Sequence, residues 1–353
     1  MIPYGWIAIL LVCTGIFFYD IWRIFRIFNN RLSHRIILGI AFILASIVCI
    51  SLLWWNQSNI QRIDILQTIA SRLLVGAFLL MFWLAITHLI SHRYKISPFI
   101  ICWCIGIIRG IGTILALKTT ITNLTITSEK IKEEKKILVV SDIHVDFVFS
   151  TFHLQKIKNL IKEEKPDFVL ILGDLFNKAH PGYEKAYEIF KDETTPIYAV
   201  VGNHDIMGDK ELIYQIPNLS PIKILTNEST EIDSINLVWI MDKSNRQHKN
   251  LDEILWEISL PNNENFTIFM THQPITLDKI EKYPFDLELA WHTHRGQFYG
   301  MRKVVELVNG YGYGEYHYKD KIAFVTQGIG TWGLPFRLGT QSEIVMLHLL
   351  PTK

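Results

Sequence analysis

Between Lys118 and Lys353 the sequence contains no cysteine, so no disulfide organises the larger part of the chain. Its cysteines, Cys13, Cys49, Cys102 and Cys104, all lie in apolar runs towards the N-terminus, which argues against a disulfide framework anywhere. An excess of one charge is also missing: 35 Lys+Arg stand against 34 Asp+Glu, a formal net charge of +1. Without a global basic field to draw in phosphate backbones, nucleic acid is not an expected partner. Internal repeats and low-complexity tracts are absent, and with 49% hydrophobic against 20% charged residues the chain is neither disordered nor collagen-like.

The apolar residues are concentrated at the N-terminus. Stretches at about 3–19, 36–55, 68–90 and 99–117 are each long and apolar enough to cross a bilayer as a helix. The first lacks a positively charged start and a small-residue cleavage site, so it reads as an anchor and not a signal peptide. The first loop carries Arg23, Arg26, Arg31 and Arg35 and the third Arg93 and Lys95, whereas the second has only Arg62, beside Asp64. Positive charge is retained on the cytoplasmic side. The expected topology therefore puts both termini and the large C-terminal domain outside the cytoplasmic membrane, in an integral membrane protein. Arg72 lies near the end of its span and can snorkel outward; Arg109 lies near the middle of the fourth, where helix packing competes with binding of a lipid headgroup or partner. The expected organisation is a four-helix transmembrane region over 1–118, a connector over 119–134 and a globular domain over 135–353. Within the connector the Thr-rich stretch Thr119 to Ser128 reads as a strand or an extended segment.

In the globular part, short runs rich in Val, Ile and Phe repeatedly end in clusters of Asp, Asn or His. Lys136 to Val140 runs into Ser141-Asp142-Ile143-His144, and Asp167 to Leu172 into Gly173-Asp174. Pro196 to Val201 runs into Gly202-Asn203-His204-Asp205, Phe266 to Met270 into Thr271-His272, and Leu287 to Ala290 into Trp291-His292-Thr293-His294. A helix is expected over about Phe152 to Glu164, with Leu154, Ile157, Leu160 and Ile161 on one face. Carboxylates and an amide oxygen suit hard divalent ions and imidazoles suit first-row transition metals, so the mixture suits a two-metal centre. Alternation along an extended chain would turn both side chains of Asp142-x-His144, and of His292-x-His294, to one side. Either pair alone is a weak signal; the whole series at strand ends is hard to explain by core packing.

Asp142-Ile143-His144, Gly173-Asp174, Gly202-Asn203-His204-Asp205, His272 and His292-Thr293-His294 together resemble the motif series of the calcineurin-like metallophosphoesterases, over about Lys135 to Leu349. The stretch from Gly328 to Arg337 is similar to the membrane-attached branch of that family, with N-terminal spans. The resemblance implies an α/β fold of two packed β-sheets flanked by helices, with two divalent metal ions (manganese, iron, zinc or nickel) at the carboxyl ends of the strands. It implies that Asp142, His144 and His294 hold one ion, that Asn203, His272 and His292 hold the other, and that Asp174 bridges them. The metals would activate a hydroxide to attack phosphorus, while His204, its ring oriented by Asp205, stabilises the transition state or protonates the leaving group. Trp291 stands where the family usually has Gly and must find room or shape the pocket wall. Arg295 and Arg337 are candidates for contact with an anionic part of the substrate, and Asp146 and His180 are weaker candidates to line the site. His317 with Tyr311, Tyr313, Tyr316 and Tyr318 reads as an aromatic surface or lipid-facing rim.

The expected function is that of an integral-membrane phosphoesterase acting on a phosphate ester or pyrophosphate bond of a phosphorylated, lipid-linked substrate, with membrane lipids as neighbours. An alternative is a receptor- or transporter-like membrane module carrying a non-catalytic phosphoesterase-fold binding domain. Against it, the spans contain no paired acidic residues and no broken helices, and no ligand type is missing from the motif series. A nuclease, a further possibility within the family, is disfavoured by the charge balance and the expected placement.

Overall fold

The computed structural model describes residues 98–145, 150–179, 182–207, 209–242, 250–258, 260–261, 263–332 and 336–352, with the side chains of 98–102, 105 and 150 outside that description. The expected spans at 3–19, 36–55 and 68–90, with Arg72, and the residues Asp146 and His180 lie outside the described residues. The chain divides into two compact units, Met1–Gly110 and Ile111–Lys353.

The fourth apolar stretch forms helix α1, Pro98–Leu117. Among the described residues no helix is long and apolar enough to cross a membrane; Arg109 is half-buried. Close packing near the end of α1 needs a glycine, because a Cβ at Gly112 would overlap the ring of Phe336. After Lys118 the chain enters β1, Thr119–Ser128, so most of the stretch read as a connector is a sheet strand. In β1, Leu124 and Ile126 turn inward while Asn123, Thr125 and Thr127 face out, the period of two of a half-buried edge strand.

The remaining strands are β2 (Lys135–Val140), β3 (Phe168–Ile171), β4 (Ile197–Val200), β5 (Ile222–Leu225), β6 (Glu228–Ile232), β7 (Ile235–Ile240), β8 (Phe266–Thr271), β9 (Leu287–Ala290), β10 (Gly314–Tyr318), β11 (Lys321–Val325) and β12 (Ser342–Pro351). They form two six-stranded sheets, ordered β1-β12-β2-β3-β4-β5 and β10-β11-β9-β8-β7-β6. In the first, only β12 and β2 pair antiparallel. In the second, β11, β9, β8 and β7 are parallel, with antiparallel pairs at either edge.

Alternation explains why these strands read as unbroken apolar runs: both faces are covered. Ile137 and Val139 of β2, Phe168 and Leu170 of β3, and Val345 and Leu347 of β12 meet Leu237 and Trp239 of β7, Ile268 of β8 and Leu289 of β9 in a core between the sheets. On the outer face of the first sheet, Leu138, Val140, Val169 and Ile171 pack with helix α2, Ser150–Glu164. Its Leu154, Ile157, Leu160 and Ile161 are the expected stripe and are all buried; each such side chain contributes about 1.5–3 kcal/mol. The outer face of the second sheet is covered by α3 (Leu251–Glu257), through Ile254 and Leu255, and by α4 (Leu277–Ile280). Asn250 and Glu253 close a capping box that fixes the start of α3. Helix α5, Met301–Asn309, has no buried residue.

Candidate metal centre

The clusters at the ends of the central strands converge. Asp142 and His144 follow β2, Asp174 follows β3, Asn203 follows β4, His272 follows β8, and His292 and His294 follow β9. Parallel neighbours present their carboxyl ends on the same edge, so loops far apart in sequence meet there. The convergence does not come from strand alternation: Asp142 (φ 51°), His144 (49°), Asp174 (50°), His292 (71°) and His294 (46°) all have left-handed backbone. Each such residue costs about 1–3 kcal/mol and persists only where its surroundings hold it. Backbone bonds supply that hold: Asp142 N–H donates to Gly173 O (3.1 Å), His144 N–H to Asp174 O (2.9 Å) and Gly330 N–H to Asp142 O (2.8 Å). Gly202 has to be glycine, since a Cβ there would run into the Asp174 carboxylate.

Two triads of ligand atoms result, Asp142, His144 and His294 in one and Asp174, His272 and His292 in the other, each with its atoms within 4.8 Å of one another. Asn203 joins the second, its Oδ1 2.5 Å from His272 Nε2, and His292 Nδ1 is 3.0 Å from the same nitrogen. Asp174 lies between the triads: Oδ2 is 3.6 Å from His144 Nε2 and 3.4 Å from His272 Nε2.

The donor set fits divalent cations. Asp174 Oδ1 accepts from His204 N–H (2.9 Å), whereas Oδ2 is buried with no hydrogen-bond partner among the described residues. His144 Nε2 and His294 Nε2 face each other at 3.2 Å. Burial, aided by the other histidines, holds His144, His272 and His294 well below the usual histidine range, so they are neutral and offer lone pairs, the state a metal requires. Burial raises Asp142 to about 7 and Asp174 well above the carboxylate range. Concentrated acid and imidazole groups with unused lone pairs form a site that a bound cation would stabilise.

Three of the other sequence candidates take places the sequence did not suggest. Asp205 does not reach the His204 ring: its Oδ1 accepts from Phe176 N–H (2.9 Å) and its Oδ2 from Gly202 N–H (2.8 Å), which ties the loops after β3 and β4 together. Burial pushes it up to about 7 against those bonds. The His204 ring is oriented by the Asn177 carbonyl, 2.7 Å from Nδ1, and stands edge-on to His144 with centroids 4.8 Å apart. A main-chain acceptor leaves no trace in side-chain patterns. Arg337 is fully buried and donates to the carbonyls of Gln327 (2.7 Å), Gly328 (3.0 Å), Gly330 (2.6 Å) and His294 (3.4 Å). These bonds brace the loops around Asp142 and His294, whereas its Nε is buried with no hydrogen-bond partner among the described residues. Burial lowers it to about 10.

Arg295, by contrast, is only half-buried, and its guanidinium lies over the Tyr313 ring, 4.3 Å from the centroid. Trp291 finds room by entering the core between the sheets, where it meets the His272 ring edge-on at 5.3 Å. Glu288, buried on β9, was not legible as a site residue. It accepts from Thr271 Oγ1 (2.9 Å) and Ile275 N–H (2.8 Å) and so fixes the loop that carries His272. Of the aromatic group near the C-terminus, Tyr311 and Tyr316 stack at 4.0 Å against the outer core, while His317 is exposed and pairs with Glu315.

The family model for calcineurin-like phosphoesterases matches residues 135–313. An uncharacterised metallophosphoesterase of Helicobacter pylori is 30% identical over 231 residues, 63% of this chain and 62% of that protein. One from Campylobacter jejuni is 30% identical over 241 residues, 66% of this chain and 64% of the relative. A transmembrane protein with a metallophosphoesterase domain from Danio rerio is 27% identical over 249 residues, 65% of this chain and 57% of its own length. The chain thus spans less than two thirds of the length of these relatives.

Proposed function

From its membership of the calcineurin-like phosphoesterase family, we propose that the chain is a metal-dependent phosphoesterase cleaving a phosphate ester or pyrophosphate bond. The observation that carries this reading is the pair of adjoining triads, with Asp174 between them. Asp142, His144 and His294 would hold one divalent ion and Asn203, His272 and His292 the other, with Asp174 shared. When bound, such ions supply Lewis acidity and lower the pKa of water. His204 is the chain's own group for proton exchange with the leaving oxygen or for stabilising charge on the phosphate: Asn177 commits Nδ1 and leaves Nε2 without a hydrogen bond among the described residues.

We further propose that the protein belongs to the membrane-attached branch, with four spans over 1–118 ahead of the catalytic domain, that this domain lies on the extracytoplasmic side, and that its substrate is lipid-linked. Four bilayer-length apolar stretches and the Lys/Arg distribution of their loops support this. So does the name of the Danio rerio relative. The exposed apolar surface of Tyr299, Leu307, Val308 and Trp332, beside the catalytic fold, suits a lipid neighbour.

The test is removal and return of metal. Stripped protein reloaded with manganese should bind about two equivalents and hydrolyse generic phosphate monoesters or diesters. Failure to hydrolyse any ester with both ions bound would turn the assignment towards a binding domain. Reporter fusions at each terminus test the sidedness: a periplasm-only reporter that is silent at the C-terminus refutes it.

A further inference from the structure

Beside the Asp142, His144 and His294 triad lies a pocket of about 410 Å³ whose lining includes Leu115, Thr120, Arg295, Tyr313, Gln327 and Thr340. It adjoins the triad at two points. Arg295 follows His294 directly, and Gln327 precedes Gly328, whose backbone approaches Asp142 so closely that a Cβ there would sit 2.6 Å from Oδ2. Arg337 binds the two points together through its bonds to the carbonyls of His294 and Gln327.

The walls are held by a buried carboxylate. Glu343 Oε1 accepts from Thr122 Oγ1 (2.5 Å) and Tyr313 OH (2.8 Å), and Oε2 accepts from Thr326 Oγ1 (2.8 Å) and Gln327 N–H (3.0 Å). Tyr313 and Gln327 are thereby fixed from behind, with Tyr313 raised to about 12, chiefly by burial. Two polar groups remain unused. The Arg295 guanidinium stacks on Tyr313 and, among the described residues, pairs with no carboxylate. Gln327 is 3% exposed, yet its amide oxygen has no hydrogen-bond partner among the described residues. A buried acceptor left open costs about 1–3 kcal/mol unless something fills it.

We propose that this pocket is a substrate subsite in which Arg295 binds a second anionic group of the phosphorylated substrate and the Gln327 amide oxygen accepts from a substrate hydroxyl or N–H. Stacking occupies the face of the guanidinium and leaves its in-plane donors for an oxyanion. The volume lies in the range of small-molecule sites and exceeds what one phosphate needs. This assignment deepens the phosphoesterase reading and rests on it.

The test uses full-length, manganese-loaded protein and calorimetric binding of three probes: methyl phosphate, phosphoglycolate, which adds a carboxylate, and 3-phosphoglycerate, which adds a hydroxyl as well. Wild type should bind phosphoglycolate about tenfold or more tighter than methyl phosphate. Arg295→Gln should bring those two constants together and Arg295→Lys restore part of the gap. Gln327→Met should erase the further gain of 3-phosphoglycerate while keeping the preference for phosphoglycolate. Equal binding of the first two probes by wild type, or a preference that survives Arg295→Gln, overturns the subsite. No methyl phosphate binding at all, with metal bound, overturns the phosphoesterase reading and the subsite with it.

Discussion

The two halves of the metal centre use the same kinds of donor and differ in access. Asp142, His144 and His294 are all buried, and Arg337 and the Gly328–Gly330 backbone brace them from behind. In the other half His292 and Asn203 are only half-buried, and the support comes from Trp291 and the loop tied by Glu288. Equivalent chemistry thus has one enclosed seat and one open seat. The enclosed half is set as part of the fold, whereas the open half is the one that solvent would reach if ions were bound.

Asp174 is the residue on which that contrast hinges. Asp174→Ala should cost both halves: metal content falls towards zero and turnover by at least about 10²–10³-fold, the weight of one preorganised charge-stabilising group, read by elemental analysis and ester hydrolysis. His204→Gln should leave metal content unchanged and lower turnover by about 10²-fold; equal loss of metal would make it a structural ligand. Arg337→Met should weaken the enclosed half alone, by about 10–100-fold in metal affinity, and lower stability by about 3 kcal/mol, because buried carbonyls lose their donors. In wild type a chelator should remove one equivalent well ahead of the other, and His292→Ala should lose that same early equivalent; simultaneous loss of both would erase the distinction between the halves.

A pH-dependent effect concerns Glu288. Burial raises its carboxyl from 4.5 to about 8, so between those values the folded state keeps a proton that the unfolded chain releases. Its contribution is complete below pH 4.5 and is lost as pH climbs through 8, by up to about 1.4 kcal/mol per unit. Glu288→Gln should flatten that slope in urea titrations at pH 5, 6.5 and 8.

Strand ends carrying Asp, Asn and His were legible because metal chemistry demands those residue types, and the α2 stripe because helical periodicity exposes it. What hid the rest was the partner. A buried arginine that satisfies carbonyls, like Arg337, is spelled the same as one that meets a phosphate, and Asp205 capping two backbone N–H groups is spelled the same as an Asp that orients an imidazole. The Asn177 carbonyl has no spelling at all. Strands β5, β6, β7, β10 and β11 end in no ligand cluster and so escape a reading led by chemistry. The pocket was out of reach for another reason: its walls depend on the pairing of β1 with β12, Thr119 opposite Ser342, which no local pattern announces.

Only Lys118 separates α1 from β1. A flexible linker lets a domain roam over a distance that grows as the square root of its length, and here there is no such linker. Leu115 and Thr120, on either side of that junction, both line the pocket. Whatever holds the end of α1 therefore holds this wall of the pocket with it.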